Sequence, residues 1–446
     1  MLPYSQTFDQ RTLSLLVEHD AIVQRYRAMF ALLEWQVLPD PVPDPSHPGR
    51  RPHPESAYIK ALLIKIQEGY EYCSQLRSFL VEHPLLVLEL GFRPVLNCEL
   101  PYGFDVQRTV PSERWLREKQ RTLDHRHLQD LFHATVHALQ EEIPGLGEVV
   151  AFDVKHQYAW VRENNLRESI KDRFCKERQP RGDPDCRVGV KSSTNQEQAD
   201  GSTKERKEYL WGYGSGIVSA TIAGYGDVVL AEFTQPFNES DVSYYLPLFL
   251  QAVAVLGRFP QHVTADAAYD AWYVYQTCAH REGIAAIPLN THGHQDVPRD
   301  RDGVPLCPIG LRMHPTYRFL HTNGYQAQRY RCPLLFPART GQTCQHDQFQ
   351  KGKGCVKDLN SEKGGLMRAM LDRSSPLYRA VYRQRTSAER INSQAKARGI
   401  ERPKVRQGDA VRRLNTLTYI LINLKAFARA RAINASLLTP KLGKLA

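Results

Sequence analysis

No run of about 20 consecutive apolar residues occurs in this 446-residue chain, so nothing in the sequence predicts a membrane-spanning helix. The longest candidate, Leu417 to Leu424, is too short and sits among basic residues. The N-terminus is polar and lacks the continuous apolar segment of a signal peptide, so a cytoplasmic location is expected. Gly-x-Gly-x-x-Gly and Gly-x4-Gly-Lys-Ser/Thr are both missing, which argues against Rossmann and P-loop nucleotide sites. No Cys-x2-Cys pair joins any of the nine cysteines. In a reducing cytosol they are read as thiols rather than as a disulfide framework.

What the chain does have is ordinary globular composition and a lopsided charge. It is 42% hydrophobic and 24% charged, enough for two or three domains. Lys and Arg number 59 against 48 Asp and Glu, a formal +11. From Pro376 to Ala446 the basic residues number 16 and the acidic 3, so this stretch carries +13 and the first 375 residues −2. A positive segment of this kind neutralises phosphates and gives salt-dependent, largely sequence-independent binding to nucleic acid. A tail for RNA or an acidic partner is the alternative. Within it, Val411 to Ile433 has an apolar stripe (Leu414, Leu417, Ile420, Leu421, Leu424, Phe427), which predicts a packed helix with a basic face.

The chemistry-bearing residues cluster around three acids. Tyr382, Arg385, Glu389 and Lys396 are spaced by three, four and seven residues. On one helix this spacing returns them to an arc of roughly 60°. Ser375 suits the cap of that helix and Pro376 its first position, while Gly399 and Pro403 mark its end. An amphipathic helix with an Arg385–Glu389 ion pair would account for the same spacing. Upstream, the apolar run Val149–Phe152 after Pro144-Gly145 predicts a buried strand ending at Asp153. His262-Val-Thr-Ala-Asp266 predicts a short strand running into a helix, with Asp266 at the junction; either Asp alone could be a turn or cap residue.

The chain between these acids reads as a sheet. Residues 208–223 and 227–236 are apolar and aromatic, joined by Gly224-Tyr-Gly226, a hairpin signal. Helical periodicity over 240–256 and 271–281 brackets the Asp266 strand, and 283–289 reads as a fifth strand. The order is β-β-β-α-β-α-β, closed by the Glu389 helix.

Tyr382-x2-Arg385-x3-Glu389-x6-Lys396 resembles the Y-R-E-K signature of bacterial insertion-sequence transposases, the DDE enzymes with an RNase H-like core. The Asp153 and Asp266 segments are similar to that family's two upstream acidic motifs. The resemblance covers residues 140–430 in layout and is specific only at the three acidic motifs. It implies an α/β fold with an RNase H-like mixed sheet flanked by helices. It implies that Asp153, Asp266 and Glu389 converge on two Mg²⁺ (or Mn²⁺) ions about 3.5–4 Å apart. Tyr382, Arg385 and Lys396 would contact double-stranded DNA near the transposon end. The implied activity is metal-dependent DNA strand cleavage and strand transfer, by a homodimer on DNA at the nucleoid. A nuclease of the same fold that does not join ends, or an inactive DNA-binding relic, are the alternatives. Trp160 and Trp272 read as core residues, or as platforms for an extruded base.

The expected organisation has four parts: a helical N-terminal domain over 1–140 that grips DNA ends, a first core segment over 141–290, an insertion over 291–375, and basic helices over 376–446 that complete the core. Helical patterns cover 9–35, 55–81 and 112–142, with a proline-dense linker over 38–54. Residues 162–207 read as a long polar loop, over the DNA channel or as a surface insertion. In the second insertion, Cys332, Cys344, His346 and Cys355 supply four possible zinc ligands without paired spacing; unligated thiols are the alternative.

Overall fold

A computed structural model of the chain describes residues 10–33, 35–39, 51–197, 203–290 and 297–438. Most of the proline-dense linker lies outside the described residues. Along the chain the helices α1 (Gln10–His19), α2 (Ala21–Phe30), α3 (Glu55–Gln67), α4 (Cys73–Glu82), α5 (Pro84–Glu89), α6 (Val106–Thr109), α7 (Glu113–Thr122) and α8 (His125–Glu142) come first. Then follow β1 (Val149–Tyr158), β2 (Arg187–Glu197), β3 (Thr203–Ile222), β4 (Gly226–Pro236), α9 (Tyr245–Leu256), β5 (His262–Thr264), α10 (Trp272–Ala279) and β6 (Ala285–Ala286). The remainder is β7 (His314–Leu320), β8 (Gln326–Arg331), α11 (Asp347–Gln350), β9 (Val356–Asn360), α12 (Lys363–Met370), α13 (Pro376–Arg383), α14 (Thr386–Ala397) and α15 (Gly408–Leu438). The fold is mixed α/β, with parallel and antiparallel strand pairs and flanking helices.

The chain divides into two compact units. One comprises residues 1–147, 153–259 and 386–446. In it, β3 is hydrogen-bonded to β1 and antiparallel to β2 and β4. The predicted hairpin is present, with Ile222 opposite Gly226 and both turn glycines, Gly224 and Gly226, at positive φ. The expectation of a polar loop over 162–207 fails at β2. Residues 187–197 pair with β3 from Arg187↔Gly212 to Glu197↔Thr203, because backbone pairing to a long partner strand stabilises a polar sequence that has no apolar signal of its own. Residues 165–186 are irregular, and buried Asp183 pins them by accepting the Tyr213 hydroxyl at 2.6 Å and the Gln407 amide at 3.0 Å.

Helix α15 is the centre of this unit. Leu417, Tyr419, Ile420 and Leu421 are all fully buried. The expected basic face is absent through its middle, since residues 414–424 are buried all round. Polar residues on it are buried and bonded instead. Asn415 and Gln157 exchange amide hydrogen bonds of 2.8 and 3.0 Å, and Asn423 accepts the Val229 amide at 2.9 Å while donating to its carbonyl at 2.8 Å. Thr416 donates to buried Glu232 at 2.7 Å.

The second unit comprises residues 148–152 and 260–385. Here the start of β1 runs parallel to β5, with Val149 opposite His262, and β5 runs parallel to β6. Helix α13 packs Tyr378 and Val381 against Ala286 of β6. The insertion folds around an antiparallel sheet in the order β7-β8-β9. Asp270 is structural: it takes a bidentate Arg368 at 2.7 and 2.9 Å together with the Tyr275 hydroxyl and the Asn290 amide.

Candidate active site

Along β1, side chains alternate between the two faces of the sheet, so Asp153, Lys155 and Gln157 share one face. The sequence predicted a strand ending at Asp153. The strand instead runs five residues further, to Tyr158, because its later half is hydrogen-bonded to β3. Asp153 therefore projects from mid-strand. Its Oδ1 accepts its neighbour Val154's amide at 2.9 Å, and its Oδ2 accepts Asn392 Nδ2 of α14 at 2.9 Å.

The predicted single helix from Pro376 to Gly399 is two helices. Ser375 caps the first, accepting the Tyr378 amide, and Pro376 occupies its first turn, as expected. At Gln384 and Arg385 the backbone makes three-residue bonds to Val381 and Tyr382, and α14 begins at Thr386. Thr386 and Ser387 favour a helix start over a helix interior, which gives the break a cause that periodicity does not register. Tyr382 thus lies on α13, Arg385 in the junction, and Glu389 and Lys396 on α14. Tyr382 stacks on Tyr378 with centroids 5.7 Å apart, and the Arg385 guanidinium lies 5.7 Å from the Tyr382 ring.

Three tethers hold α14. Ser387 shares a 2.8 Å hydrogen bond with Ser219 of β3. Arg390 grips Asp227 of β4 bidentately at 2.6 and 2.7 Å. Asn392 reaches Asp153 of β1. Glu389 sits one turn before Asn392, on the same side of the helix, and is exposed. None of Ser387, Arg390 and Asn392 was singled out by sequence reasoning. The available signal was spacing, since Asn392 is three residues from Glu389.

Lys396 makes a 3.0 Å ion pair with Glu401, and Lys155 pairs with the other Glu401 oxygen at 2.9 Å. Burial pushes the Glu401 carboxyl up, but the two lysines outweigh it and hold its pKa below the usual range. Beyond the end of β1, a groove of about 400 Å³ is lined by Tyr158, Trp160, Arg162, Arg402, Lys404 and Arg406. Arg402 lies 3.9 Å from the Tyr158 ring centre and Arg406 4.8 Å from that of Trp160. Trp160 is 40% exposed, against the expectation of a core residue, whereas Trp272 is half-buried beside Tyr325.

Asp266 belongs to the second unit. It follows β5, and its carboxylate caps the short turn after it, accepting the Ala268 amide at 2.9 Å. Among the described residues, no group of three or more His, Cys, Asp or Glu side chains is arranged to hold a metal ion. The donor chemistry beside Asp153 nevertheless suits a hard divalent cation. Asn392 Oδ1 is buried with no hydrogen-bond partner, an amide oxygen next to a carboxylate. Cys332 and Cys355 are buried and Cys344 is packed against them, while His346 Nδ1 lies 3.7 Å from Cys355 Sγ. No protein-family model matches the chain, and no curated protein matches it.

Proposed function

We propose that the chain is a DNA transposase of an insertion sequence, cutting and joining DNA strands with divalent cations. The observation that carries the reading is the Asn392–Asp153 hydrogen bond. It holds the helix bearing Glu389 against the strand bearing Asp153, two acids that the sequence pattern had paired across more than 200 residues. Asp153, Glu389 and the Asn392 side-chain oxygen would supply the hard oxygen donors that Mg²⁺ or Mn²⁺ takes. When bound, such ions lower the pKa of the attacking hydroxyl and offset charge on the leaving oxygen. Asp266 is assigned to the same reaction by its motif.

The remaining residues orient the substrate. Lys155 and Lys396, on either side of Glu401, put positive charge on the Asp153 face of β1 for a phosphodiester. The Trp160 groove offers stacking surface with cations around it, a combination suited to unpaired nucleotides. Tyr382 and Arg385 are assigned to the transposon end, with Arg385 able to grip a phosphate bidentately.

The test uses the purified full chain with linear DNA carrying the inverted repeats that flank its coding region. Mg²⁺-dependent cutting at the repeats, followed by joining of 3′ ends to a target, is expected. Asp153→Asn, Asp266→Asn and Glu389→Gln should each reduce cutting at least about 1000-fold while leaving DNA binding intact. Cutting without joining would make the chain a nuclease. Near-wild-type cutting by Asp266→Asn would place the active site elsewhere.

A further inference from the structure

The insertion has an unusual core. The strands β7 and β9 are largely exposed, and five residues are buried together beside them: Cys307, Met313, Cys332, Leu334 and Cys355. Three of the five are cysteines, and a fourth, Cys344, packs against them. These residues are 25, 12 and 11 positions apart in sequence and lie on four separate segments. Chain folding alone has gathered four of the nine thiols into one place.

Each thiol is carried by a tight local structure. Cys307 opens a Cys-Pro-Ile-Gly turn in which its carbonyl accepts the Gly310 amide at 2.8 Å. Cys332 opens a Cys-Pro turn in which its carbonyl accepts the amides of Leu335 and Phe336. Cys344 Sγ accepts the His346 amide at 3.4 Å, a bond that strengthens when sulfur is a thiolate. Cys355 follows Gly354, which has φ +66° and leaves no room for a side chain: a Cβ there would come within 2.6 Å of Cys332 Cβ. That glycine lets the Cys355 turn lie directly on the Cys332 turn.

We infer that Cys307, Cys332, Cys344 and Cys355 form a four-thiolate structural zinc site that staples the insertion. The ligand set differs from the one the sequence suggested, with Cys307 taking the place of His346. The Nδ1 of His346 is already in use: it caps α11 by accepting the Gln348 amide at 3.3 Å, and faces Cys355 Sγ at 3.7 Å. It is a positioning residue for Cys355. The thiols pack together without converging on one point at ligand distance. Uptake therefore requires loss of their protons and side-chain rotation onto the ion, with Zn–S distances of about 2.3 Å. A tetrahedral S₄ donor set selects zinc from the divalent ions that prefer oxygen. A sheet with so small an apolar core also lacks the buried area to stand alone, the circumstance in which small folds use a metal.

The experiment is metal analysis of the full-length chain purified without chelator, followed by exchange of its metal for Co²⁺. About one zinc per chain is expected, and the cobalt form should show thiolate-to-metal charge transfer and the visible bands of a tetrahedral S₄ site. His346→Ala should keep both the metal and the spectrum. Cys307→Ser should lose at least about nine-tenths of the zinc. Zinc absent from wild type even after reconstitution would overturn the inference, as would iron in its place. A cobalt spectrum of the S₃N type, or retention in Cys307→Ser with loss in His346→Ala, would overturn the ligand set even if a variant fails to fold. Strand cleavage is not measured, so failure here leaves the transposase reading standing.

Discussion

The surroundings of α15 and the insertion sheet solve the same problem with different means. Around α15 the middle of a long helix, residues 414–424, is buried on every side, and its Asn415, Thr416, Asn423 and Tyr419 are satisfied by β1, β3 and β4. Beside β7-β8-β9 the buried cluster is five residues, mostly cysteine. Where apolar area is abundant, buried polar groups can be spent on register, because each one fits only a single alignment of helix and strand. Where area is scarce, stability has to come from something other than packing.

Four substitutions probe that contrast. Asn423→Leu should have the largest effect, costing about 3–4 kcal/mol in urea unfolding, because the Val229 amide and carbonyl lose a buried partner together. A cost under about 1 kcal/mol would show that apolar packing alone sets the register of α15. Glu232 comes next. Burial raises its pKa from 4.5 to about 7 despite hydrogen bonds from Thr416 and Gln129. Its protonated form is therefore favoured in the folded chain. The resulting stabilisation is full below about pH 4.5, declines as pH rises, and is gone above about 7. The decline is on the order of 3 kcal/mol. Glu232→Gln should flatten this part of the stability-versus-pH curve, and an unchanged slope would assign it to another group.

Gly354→Ala should cost about 2 kcal/mol, through its positive φ and its contact with Cys332. The loss should appear in proteolysis of the insertion and spare the α15 transition. If both regions loosen together, they do not fold as independent units. Smallest is Arg329→Ala on the insertion sheet. Its pair with Asp358 is bidentate at 2.7 and 2.8 Å but partly solvated, so about 0.5–1 kcal/mol is expected from thermal melts. A larger loss would mean that the sheet depends on surface ion pairs more than on its thiol core.

The parts of the fold that were legible carry strong local signals. The β3–β4 hairpin announced itself through apolar runs around Gly224-Tyr-Gly226, and α8 through its periodicity. The start of β1 was visible in Val149–Phe152, but its end was not: after Asp153 the strand continues through Lys155 and His156, held by pairing rather than by composition. Strand β2 was invisible for the same reason. The break at Gln384–Arg385 involves neither glycine nor proline, so the pattern runs across it undisturbed. At the candidate site, Glu389 and Lys396 were named from spacing, and Asp153 and Asp266 from the apolar strands that precede them. Asn392, Arg390 and Ser387 were not, because their partners lie 239, 163 and 168 residues away. Cys307 escaped the candidate ligand set because only the tertiary fold brings it to the other thiols.

The three tethers of α14 make the helix a phase-sensitive part. Ser387, Arg390 and Asn392 each point at a different strand, and Glu389 lies between the first and the last of them. Its bearing around the helix axis is therefore indexed from both sides. Adding or removing one residue between 387 and 392 would turn everything beyond it by about 100° and swing Asn392 off Asp153. The same change past Ala397 would leave Glu389 aimed as before. What α14 must preserve is a count of residues more than an inventory of them.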